Sequence, residues 1–388
     1  MFFRQSITRR QTLHLGLAAL AGIGACAQKE SGTLVDHDNQ AQLSANFTIE
    51  GETSLKERAA AKGLIYGAAG SYSALSSNPE FAAKFAQECA MLVPENALKW
   101  LTLRPSQEQF NFNQGDWLAE FADRHDMLFR GHTLVWNQSL PQWFQNKVNK
   151  GNAESLMREH LQVVMKHYAG KIHSWDVVNE AIFPQHGRDD GLRLTPWLQN
   201  LGPNYIDLAF EIAAEMDPQA MLVYNDTRMA HDTPENESRR TNILKLLERL
   251  KSKGVPVHAL GLQAHLWGWG KVPFLEPKRM RAFLHEVAQL DLKILVTELD
   301  VTDNSLPADP EIRDRLVAGA YEDYLSVVLD EPAVIAVLTW GLSDHYTWRS
   351  KWPRGDGNPV RPLPLDAQMN RKLAWNAIAR AFDHTRAR

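Results

Sequence analysis

The sequence predicts an α/β fold, a (β/α)8 TIM barrel that forms a single domain. Three observations lead to this prediction. Short apolar segments rich in Val, Ile and Leu recur along the chain, amphipathic helical patterns separate them, and no Gly-rich phosphate-binding loop follows the first segment. Eight strand–helix units in succession are typical of the closed barrel, and the missing loop argues against a nucleotide-binding open sheet. A chain of 388 residues, 44% of them hydrophobic, can bury such a core.

The strands are predicted from continuous apolar runs. Several runs lack the alternation of a half-exposed strand, as expected for parallel strands that are covered on both faces. The predicted strands are residues 64–69, 90–94, 128–135, 173–179, 221–225, 259–263, 294–298 and 334–340.

Helices are predicted between the strands, where apolar residues recur at helical spacing. Examples are the segments GDWLAEFADRHD, AESLMREHLQVVMKHY, YIDLAFEIAAEMD and PENESRRTNILKLLERLKSKG. The last segment begins with Pro and acidic residues and ends with basic residues and Gly, which matches the polarity of a helix.

Charge and cysteine content limit the classes of partner and cofactor. A formal net charge of −4 favours neither a nucleic-acid-binding protein nor a basic membrane-surface protein. Twelve tryptophans are compatible with stacking on sugar rings, although core packing is the more common reason for such a number. Of the two cysteines, Cys26 lies near the N-terminus and Cys89 lies in a predicted buried strand. We therefore expect no disulfide framework, no Cys-based zinc site and no cofactor.

Residues 1–27 are predicted to be an export signal. Arg4, Arg9 and Arg10 precede an apolar run over residues 13–25 that is too short to be a permanent spanning helix. The adjacent arginines resemble a twin-arginine signal, and an ordinary export signal is the alternative. The segment IGAC ending at Cys26 resembles a lipoprotein processing site, which would anchor the protein by a lipid. Cleavage at a neighbouring alanine without a lipid is the alternative.

The rest of the chain is predicted to comprise a polar tether over residues 28–51 and the catalytic barrel over residues 52–388. This organisation predicts an exported monomer that is either a periplasmic or cell-envelope lipoprotein or a secreted protein.

Polar and aromatic side chains follow the predicted strands. Because the C-terminal ends of barrel strands lie on one face, where active sites form, we expect these side chains to converge. They are Glu95, Asn96, His132, Trp136, Asn179, Glu180, Asn225, Asp226, Gln263, His265, Glu298, Asp300, Trp340 and Asp344. Any one of them could equally be a solvated or salt-bridged residue, whereas the joint pattern indicates a carbohydrate site.

Glu180 and Glu298 are the candidate catalytic pair. Glycoside hydrolysis requires one protonated carboxyl group for the leaving oxygen and one ionised carboxylate that attacks or activates water. Asn179 could bind a sugar 2-hydroxyl group, and His265 could orient Glu298 and keep it ionised. The rings of Trp340 and Trp348 could face the sugars.

Six segments resemble those of glycoside hydrolase family 10, the xylanase family of clan A. They are PENALKW, FRGHTLVWNQSLPQWF, WDVVNEA, LGLQAH, ILVTELDV and LTWGLSDHYTW. The resemblance begins near Leu55, continues to the C-terminus and follows the order of all the predicted strands. It implies an endo-1,4-β-xylanase that acts on xylan or xylo-oligosaccharides with retention of anomeric configuration. Glu180 would be the acid/base and Glu298 the nucleophile, with their carboxyl groups roughly 5–5.5 Å apart.

The resemblance also implies roles for the surrounding residues. The glycone sugar next but one to the cut would be bound by Glu95, Asn96 and Lys99. The sugar at the cleavage point would be surrounded by His132, Trp136, Asn179, Gln263 and Trp340. Trp348 would close over that sugar, and His265 and Asp300 would support Glu298 through hydrogen bonds.

Three positions depart from the family pattern. Asn137 and Ser139 replace a His and a Gln that usually reach into the glycone side, so binding there is expected to be weaker or differently organised. Thr227, followed by Arg228, stands where an aromatic residue commonly stacks on the leaving-group side. Loss of a stacked ring predicts weak leaving-group binding. Arg228 could meet an acidic decoration such as a glucuronate, or could simply be solvated.

Three other functions remain open at this point. A different clan A β-glycanase, such as a cellulase, would share the two carboxylates. A non-catalytic sugar-binding protein could keep a barrel groove, although both carboxylates and His265 are present. A metal hydrolase on the same barrel would need several His and Asp ligands, and the sequence contains no HxH-type spacing.

Overall fold

The computed structural model describes residues 45–268 and 275–388. The predicted export signal, Cys26 and most of the predicted tether lie outside the described residues. The end of the predicted tether is packed on the barrel, because Phe47 is buried in the core and Arg58 donates from Nη2 to the Glu50 carbonyl oxygen at 2.8 Å. Ordered packing therefore begins before residue 52.

The described strands form a barrel of parallel strands with one short addition. They are β1 (Ile65–Gly70), β2 (Met91–Pro94), β3 (Leu128–Gly131), β4 (Ile172–Asn179), β5 (Met221–Asp226), β6 (Ala259–Leu262), β7 (His265–Trp267), β8 (Lys293–Thr302) and β9 (Val334–Thr339). Strands β1 to β6 pair in sequence order, β6 pairs with β8, β8 with β9, and β9 with β1. These pairings close the eight-stranded barrel and confirm the predicted (β/α)8 fold.

Helices connect the strands and cover the outside of the barrel. In chain order they are α1 (Leu55–Ala60), α2 (Tyr72–Ser77), α3 (Pro79–Glu88), α4 (Trp100–Leu103), α5 (Asn113–Arg124), α6 (Gln142–Lys147), α7 (Ala153–His167), α8 (Pro196–Leu201), α9 (Tyr205–Met216), α10 (Pro234–Ser252), α11 (Pro277–Gln289), α12 (Pro310–Val328) and α13 (Leu373–His384). Several begin with a capping residue followed by Pro, as in α10, where Thr233 accepts from the Asn236 amide at 3.2 Å. None of the helices in the described ranges has the length and apolarity needed to cross a bilayer.

The core has two layers. Small and medium side chains such as Ala69, Val93, Val223 and Leu295 fill the barrel interior, and a larger cluster lies between strands and helices. The predicted buried position of Cys89 is confirmed, but this residue caps the end of α3 instead of lying in a strand, since β2 begins two residues later.

Two strand ends and one additional strand differ from the sequence-based prediction by more than one residue. Strand β3 ends at Gly131, and only Val135 returns to the sheet, through an isolated bridge to Val178. Strand β8 continues past Glu298 to Thr302, and β7 is an additional strand that pairs with this extension. The polar residues in β8 suggested a strand end, but they are buried and paired, so the strand can continue.

Irregular pairing occurs beside both candidate carboxylates. The register shifts between Asp176 and Val178 in β4, and between Val296 and Leu299 in β8. Such irregularities re-aim side chains near functional sites. They place Glu180 and Glu298 at the C-terminal face of the barrel.

Candidate active site

A groove with a cavity of about 590 Å³ opens at the C-terminal face of the barrel. All but one of the residues with a predicted catalytic or sugar-binding role line it: Glu95, Asn96, Lys99, His132, Trp136, Asn179, Glu180, Gln263, His265, Glu298, Trp340 and Trp348. The exception is Asp300, which is fully buried and contacts His265. Of the other polar residues predicted to converge after the strands, Asn225, Asp226 and Asp344 do not line the groove.

Glu298 is a buried carboxylate that accepts hydrogen bonds on both oxygens. Asn225 donates from Nδ2 to Oε1 at 2.8 Å, and His265 lies with Nε2 3.2 Å from Oε2. Burial by itself would raise the pKa of Glu298, but the hydrogen bond from His265, the positive charge around it and the Asn225 amide outweigh burial and lower this pKa. Glu298 is therefore ionised over a wide pH range.

His265 is held between two carboxylates. Its Nδ1 lies 2.9 Å from Oδ1 of Asp300, on the side opposite Glu298. Burial opposes the charged imidazolium, yet the charges and hydrogen bonds of Asp300 and Glu298 raise the pKa of His265 to about 9. At neutral pH the ring is protonated and both nitrogens donate.

Asp300 is fixed from the other side by the segment that follows β9. Trp348 donates from Nε1 to Oδ2 at 2.7 Å, and Arg349 donates from Nη2 to Oδ1 at 2.7 Å. Although burial raises the pKa of Asp300, the Arg349 and His265 charges hold it well below its usual range. This network links Trp348, which was predicted to close over the sugar, to the support of Glu298.

Glu180 is the first residue after β4, and its pKa is shifted in the direction opposite to that of Glu298. Burial raises the pKa of Glu180; the Arg193 charge opposes this shift, and the nearby Asp226 carboxylate adds to it. Arg193 donates from Nη2 to Oε2 at 3.3 Å and from Nε to the Glu180 carbonyl oxygen at 2.7 Å, and Gln263 donates from Nε2 to Oε1 at 3.2 Å. The two carboxyl groups thus differ in protonation at mildly acid pH.

The backbone of Glu180 is in the left-handed region, with φ 57°. This conformation costs on the order of 1–3 kcal/mol in a non-glycine residue. The loop that follows is fastened by Asp226, whose Oδ2 accepts from the Ile182 amide at 3.1 Å and whose Oδ1 accepts from Arg239 Nη1 at 3.1 Å. Asp226 therefore supports the Glu180 loop and does not line the groove.

The amide of Asn179 lies between Asn225 and Gln263, at 2.9 Å and 3.2 Å from their side-chain nitrogens. Gly261 makes room for this layer, because a Cβ atom there would lie 2.2 Å from Oδ1 of Asn225. A chain of amides thus connects the residue before Glu180 to the carboxylate of Glu298.

The other end of the groove contains Glu95, Asn96 and Lys99. Lys99 donates from Nζ to Oδ1 of Asn96 at 3.1 Å, and Nζ lies 5.3 Å and 5.8 Å from the ring centres of Trp136 and Trp340. Burial lowers the pKa of Lys99, with the acidic groups of the groove opposing that shift. Polar donors over indole rings can bind sugar hydroxyl groups and sugar faces.

The three departures from the family pattern have different positions. Ser139 lines the groove together with Gln138, whereas Asn137 does not, and its Oδ1 is buried without a hydrogen-bond partner in the described residues. Thr227 and the following Arg228 line both the groove and an adjoining cavity.

Several functional contacts were not predicted from the sequence. Asp176 lies within β4 and accepts from Arg130, with Oδ2 2.9 Å from His132 Nδ1, so it orients that ring. A charged residue inside an apolar strand was the available signal. Arg193 lies in a loop and Arg349 in a short 3-10 helix (Trp348–Lys351), and neither position has such a signal. Asp344, in contrast, lies outside the groove and pairs with Lys372 at 2.8 Å.

The arrangement suits acid-assisted displacement at a sugar carbon. It offers one carboxyl group that retains a proton, one ionised carboxylate, and sugar-binding groups on both sides. Within residues 45–268 and 275–388, no group of three or more His, Cys, Asp or Glu side chains could hold a metal ion.

Comparisons with known proteins agree with this chemistry. The model of glycosyl hydrolase family 10 matches residues 54–381. A β-1,4-xylanase from Dictyoglomus thermophilum is 33% identical over 299 residues, which cover 74% of this chain and 80% of the relative. The crystal structure of xylanase 10B from Thermotoga maritima has 32% identity and a TM-score of 0.77, covering 85% of this chain and 98% of the other. A complex of xylanase 10B from Thermotoga petrophila with xylobiose has 30% identity and a TM-score of 0.77, covering 87% and 99%.

Proposed function

The chain belongs to glycosyl hydrolase family 10, and from this premise we propose that it is an endo-1,4-β-xylanase with Glu180 as acid/base and Glu298 as nucleophile. The single observation that carries the assignment is the opposite shift of the two pKa values in one groove, raised for Glu180 and lowered for Glu298. A retaining glycosidase needs this combination in its first step.

In the first step, ionised Glu298 attacks the anomeric carbon while protonated Glu180 gives its proton to the leaving oxygen. The glycosidic bond breaks, and a glycosyl ester forms on Glu298. In the second step Glu180, now ionised, takes a proton from water, and the water oxygen displaces Glu298 at the same carbon. Two displacements retain the anomeric configuration.

The surrounding residues support charge development at the reacting sugar. His265, protonated and fixed by Asp300, donates to Glu298 and matches its negative charge in the resting state. Asn179 is placed to donate to a 2-hydroxyl group, a hydrogen bond that strengthens in an oxocarbenium-like transition state. Lys99, Asn96 and Glu95 would bind the next glycone sugar.

The substrate assignment is tested by product analysis on xylan, cellulose and mannan. Cleavage of xylan at internal bonds, with β-anomers appearing first, is the expected result. The variants Glu180→Ala and Glu298→Ala should each lower kcat/KM by several orders of magnitude. Preferential cleavage of cellulose or mannan would refute the substrate while leaving the two carboxylate roles intact.

We also propose that the protein is exported and acts as a monomer, and that Cys26 carries a lipid anchor. The arginines and apolar run of residues 1–27 support export, and the IGAC segment supports lipidation. The mature protein should partition into a detergent phase, and Cys26→Ala should abolish this partition. A mature wild-type protein that stays in the aqueous phase would refute the anchor.

A further inference from the structure

We propose that a second cavity, beyond Thr227 on the leaving-group side of the groove, binds a uronate side group of a branched xylan, with Arg228 as its cation and Trp267 as its stacking surface. This inference rests on the proposed function and specifies the substrate class that the site accepts.

The second cavity is continuous with the catalytic groove. Its volume is about 420 Å³, and Thr227, Arg228, His265 and Trp348 line both spaces. Glu95, Asn96 and Lys99 line the catalytic groove but not the second cavity. With its glycone at Lys99, as proposed above, a chain bound across Glu180 and Glu298 directs its leaving group toward Arg228.

Trp267 supplies an aromatic surface that Thr227 does not. Its side chain lines the second cavity and is 45% exposed, unusually open for a Trp in a strand. It is positioned by His231, which stacks on the indole at 5.0 Å and accepts from the Trp267 amide at 3.1 Å. Burial lowers the pKa of His231 to about 4, so the ring is neutral and can accept this bond. A held, exposed indole suits a sugar face.

Arg228 is a cation without an ion-pair partner in the described residues. It is exposed, and within residues 45–268 and 275–388 no carboxylate lies within 4.0 Å of its guanidinium. The other arginines near the groove are paired, Arg193 with Glu180 and Arg349 with Asp300. Arg228 thus retains its full capacity for a planar, bidentate carboxylate contact.

The acidic residue among those that line the second cavity, Glu235, does not neutralise this cation. Glu235 is an exposed residue in the first turn of α10, where the helix dipole stabilises a carboxylate. It makes no ion pair with Arg228. A neutral branch such as arabinose would leave Arg228 unused, whereas a uronate carboxylate would pair with it.

The test compares three substrates with each enzyme: unbranched xylo-oligosaccharides, arabinose-branched ones and glucuronate-branched ones. Arg228→Met keeps an unbranched apolar stem and removes the guanidinium with its charge. We expect a roughly tenfold loss of kcat/KM on the glucuronate-branched substrate, from the usual strength of a charged hydrogen bond, and a clearly smaller loss on the other two. Arg228→Lys should give an intermediate loss because it keeps only the charge.

Salt and a matched arginine variant serve as controls. Added salt should reduce the preference of the wild type for the glucuronate branch and should have little effect on Arg228→Met. Arg281→Met removes an exposed arginine of α11 that pairs with Asp330. It should leave kcat/KM unchanged on all three substrates. Trp267→Ala should lower kcat/KM on all three substrates.

Equal effects of Arg228→Met on branched and unbranched substrates would overturn the inference. So would a wild type with no preference between glucuronate and arabinose branches. Failure of the wild type to cleave unbranched xylo-oligosaccharides would instead refute the proposed function, so the two failures are distinguishable.

Discussion

Nε2 of His265 lies 3.2 Å from Oε2 of Glu298 and joins the candidate nucleophile to a buried ion-pair network. The opposite nitrogen lies 2.9 Å from Asp300, which in turn accepts from Trp348 and Arg349. The charge of Glu298 is therefore set by residues on β7 and β8 and on the segment after β9. This relationship makes the pH dependence of the enzyme a test of the structure.

The variant His265→Asn should shift the acid limb of the pH profile to higher pH. The sign follows because His265 lowers the pKa of Glu298 and the reaction needs ionised Glu298. Loss of the donated hydrogen bond and charge raises that pKa, so activity disappears at a higher pH as the solution is acidified. The measurement is kcat/KM against pH, and an acid limb identical to that of the wild type would contradict the role of His265.

The variant Arg193→Met should shift the alkaline limb to higher pH. Arg193 lowers the pKa of Glu180 against the effect of burial, and the reaction needs protonated Glu180. Removing the guanidinium raises this pKa further, so the proton is retained to higher pH. Arg188→Met is the matched control, since Arg188 lies in the same loop but pairs with Asp190 at 2.6 Å. A limb that moves to lower pH, or moves equally in both variants, would refute this role.

The variant Glu180→Ala should discriminate between leaving groups. General acid catalysis contributes about 10²- to 10⁴-fold where the leaving oxygen needs a proton. An aryl xylobioside with an acidic phenol needs none, so its glycosylation step should be affected much less than xylan cleavage. The measurement is the rate constant of phenol release in a single turnover, compared between Glu180→Ala and the wild type. Equal losses on both substrates would contradict an acid role for Glu180.

The variant Gly261→Ala should damage activity without removing any catalytic group. Its Cβ would lie 2.2 Å from Oδ1 of Asn225 and 3.0 Å from Cγ2 of Thr297. The Asn225 amide must then move away from Glu298, and a displacement of this size can cost roughly 100-fold in kcat. Gly355→Ala is the control, because nothing lies within 4 Å of its added Cβ. Wild-type kcat in Gly261→Ala would show that Asn225 does not position Glu298.

Sequence reasoning was most successful where a residue's environment follows from its strand. Apolar runs placed all the barrel strands, and the polar residues directly after them, such as Glu180 and Gln263, lie in the groove. It failed where a polar residue is buried by a partner distant in the sequence. Strand β8 was predicted to end at Glu298, yet His265 and Asn225 satisfy that carboxylate and the strand continues.

The positions of loop residues could not be predicted from the sequence pattern. The position of Arg193 depends on how the chain after β4 returns to the barrel, and no periodicity describes that path. On the leaving-group side, too, a residue lies where the sequence pattern did not indicate it. Replacement of an aromatic residue by Thr227 predicted weak binding there, but β7, a strand not predicted, brings the exposed ring of Trp267 to the adjoining cavity. The expectation of weak leaving-group binding stays a prediction, and the proposed contact with Trp267 opposes it.

The most direct test of the central claim is to trap the glycosyl-enzyme. A 2-deoxy-2-fluoro-xylobioside with an activated leaving group should accumulate as a covalent ester, because fluorine slows both displacements and the leaving group restores only the first. Peptide mass spectrometry should locate one added 2-deoxy-2-fluoro-xylobiosyl group on the peptide that contains Glu298, with no labelling of Glu298→Ala. A label on another residue, or no label together with α-anomers as the first products of xylan cleavage, would contradict the account.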